Sequence, residues 1–374
     1  MGLFSLFRCR KDSFSLDWIQ VEVTSRCNAS CLYCPNTIYQ DRWRNDSMGM
    51  ETFNNLVPAF KHAGLIFLQG WGEPFLHPRI FEMIEVAKKA GCMVGSTTNG
   101  MTLDEDTTAA LIDSELDILG ISLAGTKSET HDRIREGTNF ECITESLLIV
   151  KEQKERKHVT LPVVYLAYLL FRSNFEDLDS LISYATKVGA KEIICSNLTF
   201  FPLPDLQKEA IFLDESKKSY YEEKLKSIQA NAERNGIRLF FYKPFFDRPL
   251  LLCPENVLKS CFISHDGSVS SCVFTNIPLR EDEEPDSRCF DKRGYPVRIA
   301  YGNVNQQPLS EIWNSDAYRE FREAFYQRQK VLKEDLDAAM DAVIYQNSEP
   351  EKKEAGAISN LPRQCRDCYR MYGV

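Results

Sequence analysis

Six short apolar stretches, each running into a polar motif and then a helical segment, limit what this chain can fold into. Residues 18–24, 65–70, 92–99, 117–125, 162–171 and 192–198 read as strands from their alternating or continuously apolar patterns. Helices are expected at about 51–63, 78–90, from Asp104 onward, within 128–156 and at 175–187, with Gly91 and Gly189 as stops. Such alternation predicts a parallel α/β sheet joined by right-handed crossovers. The polar motifs then gather beyond the strand C-termini, where barrel enzymes build their sites. A charged helix at about 214–234 and a strand at 237–242 follow, and a second module is expected from residue 246.

Of 374 residues, 43% are hydrophobic and 26% charged, which suffices for a large buried core. No apolar run reaches membrane-spanning length, and the longest, 161–171, reads as a strand. The N-terminus is too short for a signal peptide, and Leu6 breaks the myristoylation pattern, so a cytoplasmic protein without a membrane partner is expected. A net charge of −9 argues against nonspecific nucleic-acid binding. Thirteen cysteines without a secretion signal point to metal or redox chemistry. They group as Cys27, Cys31 and Cys34, then Cys253, Cys261 and Cys272, then Cys365 and Cys368. Cys9, Cys92, Cys142, Cys195 and Cys289 are scattered and read as ordinary thiols.

The first group follows the first strand, as Cys27-x3-Cys31-x2-Cys34 with Tyr33 before the last cysteine. Three thiolates on one tight loop can hold three corners of a cubane iron–sulfur cluster, leaving one iron open to a small molecule. Zinc competes for thiolates but ordinarily asks for four ligands, and the nearest histidine in sequence is His62. The loop resembles that of the radical S-adenosylmethionine (radical SAM) superfamily. The resemblance implies a partial (β/α)6 TIM-like barrel, here residues 18–245 after an N-terminal extension of 1–17. It also implies a [4Fe-4S] cluster held by Cys27, Cys31 and Cys34, S-adenosylmethionine (SAM) on the open iron, and an electron donor such as flavodoxin or ferredoxin. Reductive cleavage of SAM would give a 5′-deoxyadenosyl radical that abstracts hydrogen from a substrate.

Further motifs carry the same resemblance. Gly70-Trp71-Gly72-Glu73-Pro74 follows the second strand, where the family binds the methionyl ammonium of SAM; Gly72 and Glu73 are the candidates, and Trp71 replaces the usual first glycine. Glycine permits close backbone approach and a carboxylate suits an ammonium. Thr98 and Asn99 at the end of the third strand and Ser122 on the fourth match positions that contact SAM in family members. An Asn-Gly turn and a backbone-bonded serine are the plainer readings. Arg133 and Arg135 are expected on a solvated helix face, the alternative being the SAM carboxylate. Tyr165, Tyr168, Cys195 and Asn197 are weighed as facing either the barrel interior or the core.

The second cysteine group surrounds Asp266-Gly267, a hairpin signal that with a two-residue turn would set Cys261 opposite Cys272. Together with Tyr301-Gly302-Asn303, Trp313 and the final Cys365-x2-Cys368, this resembles the SPASM or shorter twitch extension of radical SAM enzymes. The resemblance implies a small C-terminal α+β iron–sulfur extension over 246–374 with one auxiliary cluster. Cys272, Cys365 and Cys368 are its expected ligands, and the family pattern favours Cys253 over Cys261 as the fourth. Structural zinc on the same thiolates is the alternative. Residues 316–356 read as a helix followed by a charged stretch.

Three functions compete: a radical SAM enzyme modifying a peptide or protein, one acting on a small molecule or cofactor precursor, and a non-catalytic iron–sulfur or zinc scaffold. The preferred reading is the first. With about 17 residues before the first strand, a separate protein would have to recognise any leader peptide. No catalytic acid, base or hydrogen donor stands out.

Overall fold

Each of the six expected strands forms, in a computed structural model that describes residues 14–245, 249–280, 288–289, 292–293, 298–344 and 361–374. The strands are β1 (Leu16–Val21), β2 (Ala63–Leu68), β3 (Met93–Thr98), β4 (Ile118–Leu123), β5 (Val163–Leu170) and β6 (Glu192–Asn197). They pair in parallel in chain order, and β7 (Arg238–Phe241) adds a further parallel strand beside β6. Between and beyond them run α1 (Pro35–Ile38), α2 (Met50–Asn54), α3 (Val57–Phe60), α4 (Ile80–Lys89), α5 (Glu105–Asp113), α6 (Ser128–Ile134), α7 (Phe140–Lys157), α8 (Leu181–Val188) and α9 (Lys218–Arg234). The helix expected at 175–187 begins instead as a 3-10 segment, Arg172–Ser180, whose entry Asn174 fixes by accepting from Phe171 N at 2.8 Å.

Local chemistry accounts for these elements. Ile80, Met83, Ile84 and Ala87, at helical spacing, bury one face of α4 against the sheet. Asp104 and Asn139 cap α5 and α7, accepting from Thr107 N at 2.8 Å and Cys142 N at 2.9 Å. On β5 and β6 alternate residues face opposite ways. Tyr165, Ala167, Ile194 and Ser196 line the concave side. Tyr168 and Cys195 lie fully buried in the helix-packed core, with Tyr168 Oη donating to Asn174 O at 3.0 Å, so neither is an interior residue.

The C-terminal part is not a separate layer. β8 (Ser260–Ile263) pairs in parallel with β1, so the sheet continues from its first edge into β9 (Ser268–Ser270) and the two-residue β12 (Gly302–Asn303), both antiparallel. A two-stranded ladder, β10 (Arg288–Cys289) with β11 (Lys292–Arg293), stands apart. Among the described residues these strands make an open ten-stranded sheet, a partial barrel that does not close. α10 (Leu309–Trp313) and α11 (Asp316–Ile344) follow, then Cys365 and Cys368 near the chain end. Residues 1–13 of the expected N-terminal extension, Cys9, residues 345–356 of the charged stretch and the Cys289 side chain lie outside what is described.

The hairpin register differs from the expected one. Phe262 pairs with Ser270 and Ile263 with Val269, which sets Cys261 opposite Ser271 rather than Cys272. The turn holds an extra residue, with Gly267 at φ +85°, a left-handed conformation that suits glycine. A one-residue slip sends a side chain to the other face. Cys261 packs in the core near Arg322.

Candidate functional site

A cavity of about 350 Å³ opens at the C-terminal ends of the strands. Cys27, Cys31 and Cys34 line it, together with Gly72, Glu73, Thr98, Asn99 and Ser122, so the structure brings every candidate SAM contact to the cysteine loop. The loop leaves β1 and is held by backbone hydrogen bonds from Ser30 N to Glu136 O (2.6 Å) and Leu32 N to Ile134 O (3.1 Å). Burial pushes the Cys27 thiol up to about 11 and that of Cys34 up to about 12. Forming thiolates here needs a cationic centre to offset desolvation, as iron supplies.

Glu73 is buried at the exit of β2. Its carboxylate accepts from Thr98 Oγ1 (2.7 Å), Asn99 N (2.7 Å) and Phe75 N (3.2 Å). Burial still raises its pKa, those three donors notwithstanding. A cationic ligand would compensate this. Thr98 and Asn99 thus reach the site chiefly by orienting Glu73, and Asn99 Nδ2 also donates to Asn28 Oδ1 at 2.8 Å. Gly72 is required by close approach: a Cβ there would lie 2.3 Å from Thr24 O and 2.6 Å from Arg26 O. Trp71 does not disturb this turn, because its ring packs against Phe200 and Phe274 instead.

Arg135 corrects the sequence reading. Arg133 is exposed, but Arg135, at the end of α6, is buried beside the thiols and hydrogen-bonds Tyr33 Oη. Burial disfavours its charge, yet the surrounding thiols and Tyr33 outweigh that and hold it protonated. Its Nε is buried without a hydrogen-bond partner, as is Asn197 Oδ1 in the same cavity. An orphan donor and acceptor beside Gly72, Glu73 and three thiols fit a charged polar ligand with a metal cluster. The charged pattern of α6 hid Arg135, since only the helix-ending turn points it inward.

The other cysteine set assembles from three stretches. Cys253, Cys272, Cys365 and Cys368 lie close enough for each to raise or be raised by its neighbours' charge. Among the described residues no three His, Cys, Asp or Glu converge on a single-ion point; a cluster spreads its thiolates over several irons. Glu255 and Arg370 flank the set, with Arg370 Nη2 donating to Glu255 Oε1 at 2.6 Å. Both were missed in the sequence and carry no signal except their spacing from Cys253 and Cys368.

The radical SAM superfamily matches residues 21–185, and SPASM, an iron–sulfur cluster-binding domain, matches residues 253–337. This chain is a radical SAM enzyme. Its cofactors are a [4Fe-4S] cluster, SAM and an auxiliary iron–sulfur centre in a SPASM-type C-terminal domain. A tungsten-containing aldehyde ferredoxin oxidoreductase cofactor-modifying protein of Pyrococcus furiosus is 25% identical over 318 residues, 82% of this chain and 83% of that protein. A PqqA peptide cyclase of Gluconobacter oxydans is 22% identical, over 80% of this radical SAM chain and 77% of the cyclase. The fold resembles that of anSMEcpe with bound AdoMet and Cp18Cys peptide, with a TM-score of 0.60 at 18% identity, covering 83% of this chain and 84% of that one. Among the described residues no helix is long and apolar enough to cross a membrane.

Proposed function

We propose that this radical SAM enzyme modifies a side chain of a peptide or protein. The observation that carries this reading is a second, larger space beneath the first. The upper cavity shares Gln20, Gln69, Thr97, Ser122, Ser196 and Arg370, with Val273 and Phe274, with a chamber of about 600 Å³ inside the partial barrel. Trp18, Leu65, Phe67, Tyr165, Ile194 and Phe240 give the chamber apolar walls. Barrel interiors are ordinarily filled by side chains. An unfilled interior next to the reaction site suits a bulky substrate group, and the amides and hydroxyls among the residues at its neck suit a peptide backbone. Likeness to a peptide cyclase supports the same substrate class.

In this reading Cys27, Cys31 and Cys34 hold the SAM-binding cluster. Glu73 takes the SAM ammonium, Gly72 lets the backbone approach, and Thr98 and Asn99 hold the Glu73 carboxylate in place and offset part of the cost of its charge. Ser122 offers a hydroxyl at the neck, and Arg135 supplies a fixed positive charge beside the thiolates. When bound, the cluster and SAM would supply a 5′-deoxyadenosyl radical able to take hydrogen from a substrate. Phe200 and Phe274 give this cavity an apolar wall. Cys253, Cys272, Cys365 and Cys368 hold one auxiliary cluster, in a unit taken as 246–374 beyond a barrel of 18–245. An electron donor such as flavodoxin or ferredoxin, and the reducing cytoplasm, complete the proposal.

A second reading is a small cofactor precursor as substrate, favoured by likeness to the cofactor-modifying protein. The two are separated by anaerobic turnover of reconstituted protein with SAM and dithionite. Short peptides encoded beside the gene should raise 5′-deoxyadenosine formation and change mass in step with it. A rate that no such peptide moves, but that a soluble cofactor precursor does, would transfer the assignment to the second reading.

A further inference from the structure

Trp71, in the Gly70–Pro74 turn, makes contacts that reach beyond that turn. Its indole Nε1 donates to Asn276 O at 3.1 Å and Val273 O at 3.3 Å, both in the turn that begins at Cys272. Its ring lies against Phe274 and Phe200, with centroids 6.0 and 6.1 Å away. Its backbone N donates to Glu22 Oε1 at 2.9 Å, and the other oxygen of that buried carboxylate meets His265 Nδ1 at 2.8 Å, on the turn between β8 and β9. Two separate lines therefore run from the C-terminal part to one residue. The remaining ties of the turn, from Glu73 N to Arg26 O and from the Glu73 carboxylate to Thr98 and Asn99, stay within the barrel.

The turn at the other end is equally tied to its cysteine. Thr275 N bonds Cys272 O at 3.1 Å and Thr275 Oγ1 donates to the same oxygen at 2.8 Å, so the carbonyls of Val273 and Asn276 follow the placement of Cys272. We propose that Trp71 is a positioning residue that makes the SAM-binding set of the Gly72–Glu73 turn depend on a loaded auxiliary site. The inference rests on the reading above, in which Glu73 holds the SAM ammonium. Coupling passes through packed and hydrogen-bonded contacts with no gap between the two sites.

Trp71→Phe keeps an aromatic ring and the main-chain N–H and removes the indole donor. The test is a double-mutant cycle on the SAM dissociation constant, measured by equilibrium dialysis on anaerobic, iron-loaded protein. Removing the auxiliary cluster by Cys365→Ala with Cys368→Ala should weaken SAM roughly tenfold when Trp71 is present and less than about twofold in Trp71→Phe. Equal losses in both backgrounds, or no loss in the first, would overturn the proposal. A second measurement does not depend on that variant folding. The Cys27→Ala, Cys31→Ala, Cys34→Ala chain can load only the auxiliary site. Loading should slow amide exchange across residues 69–76 when Trp71 is kept, but not when Trp71→Phe is added. Unchanged exchange in the chain that keeps Trp71 would sink the idea as well. Glu73→Gln, run in parallel, tests the underlying reading: undiminished SAM binding there would remove Glu73 from the site, whereas an additive cycle would remove only Trp71.

Discussion

Cys27, Cys31 and Cys34 come from one loop and face a cavity, whereas Cys253, Cys272, Cys365 and Cys368 are collected from three stretches and line neither of the two cavities described. The first set needs only local turn geometry and the strand that precedes it. The second needs the hairpin, the long α11 and the chain end to arrive together. Their charge surroundings differ too. Buried Arg135 stands beside the triad, while the tetrad has the Glu255–Arg370 pair at its edge. A set of three thiols with a guanidinium and an open space suits ligand binding. A set of four with its own ion pair suits electron storage or transfer. The difference teaches that a set close in sequence can form from local turns alone, whereas a set drawn from distant stretches depends on the whole fold.

The contrast can be broken most decisively at the triad. Cys31→Ala should abolish 5′-deoxyadenosine formation while iron and sulfide persist at the tetrad, as read by metal analysis and chromatography. Full turnover in that variant would end the division of labour. Next in size, Glu73→Gln should weaken SAM roughly tenfold to a hundredfold, the worth of charge-assisted hydrogen bonds to a buried carboxylate, by equilibrium dialysis. A subtler pair probes the tetrad. Cys253→Ala should lose the auxiliary iron, but Cys261→Ala should keep it and cost only about 1 kcal/mol of stability from the small void, by chemical denaturation.

A further effect, read in stability against pH, belongs to the triad's side alone. His131, in α6 just before Arg135, is held down to about 3 by burial and by the nearby Arg135 charge. An unfolded histidine titrates near 6.5, so between those values the unfolded chain binds a proton that the folded chain refuses. Stability is full above about pH 6.5 and falls as pH drops, by at most about 1.4 kcal/mol per unit. His131→Gln should flatten that slope in denaturation midpoints between pH 6.5 and 5.

Much of the barrel was legible because strand and helix periods are local: each predicted strand of the first 200 residues lies within a few positions of β1 to β6. The grouping of the candidate SAM residues followed from that alternation, since strand C-termini converge. What could not be read depended on one-residue details or long-range contact. An extra turn residue at the Gly267 corner separated Cys261 from Cys272. A helix-ending turn swung Arg135 inward, and strand parity sent Tyr168 and Cys195 to the core rather than the interior. The addition of β8 beside β1 had no local signal, because pairing over some 240 positions leaves no periodic trace.

That pairing bears on how the protein can be dissected. Trp18 to Val21 are flanked on one side by β2 and on the other by Ser260 to Ile263. A truncated chain ending before residue 250 would strip a row of main-chain donors and acceptors from its first strand and present them to solvent. Bare strand edges recruit one another. Insolubility of such a fragment would therefore report a naked ladder, and would carry no information about whether the remaining barrel can still split a sulfonium.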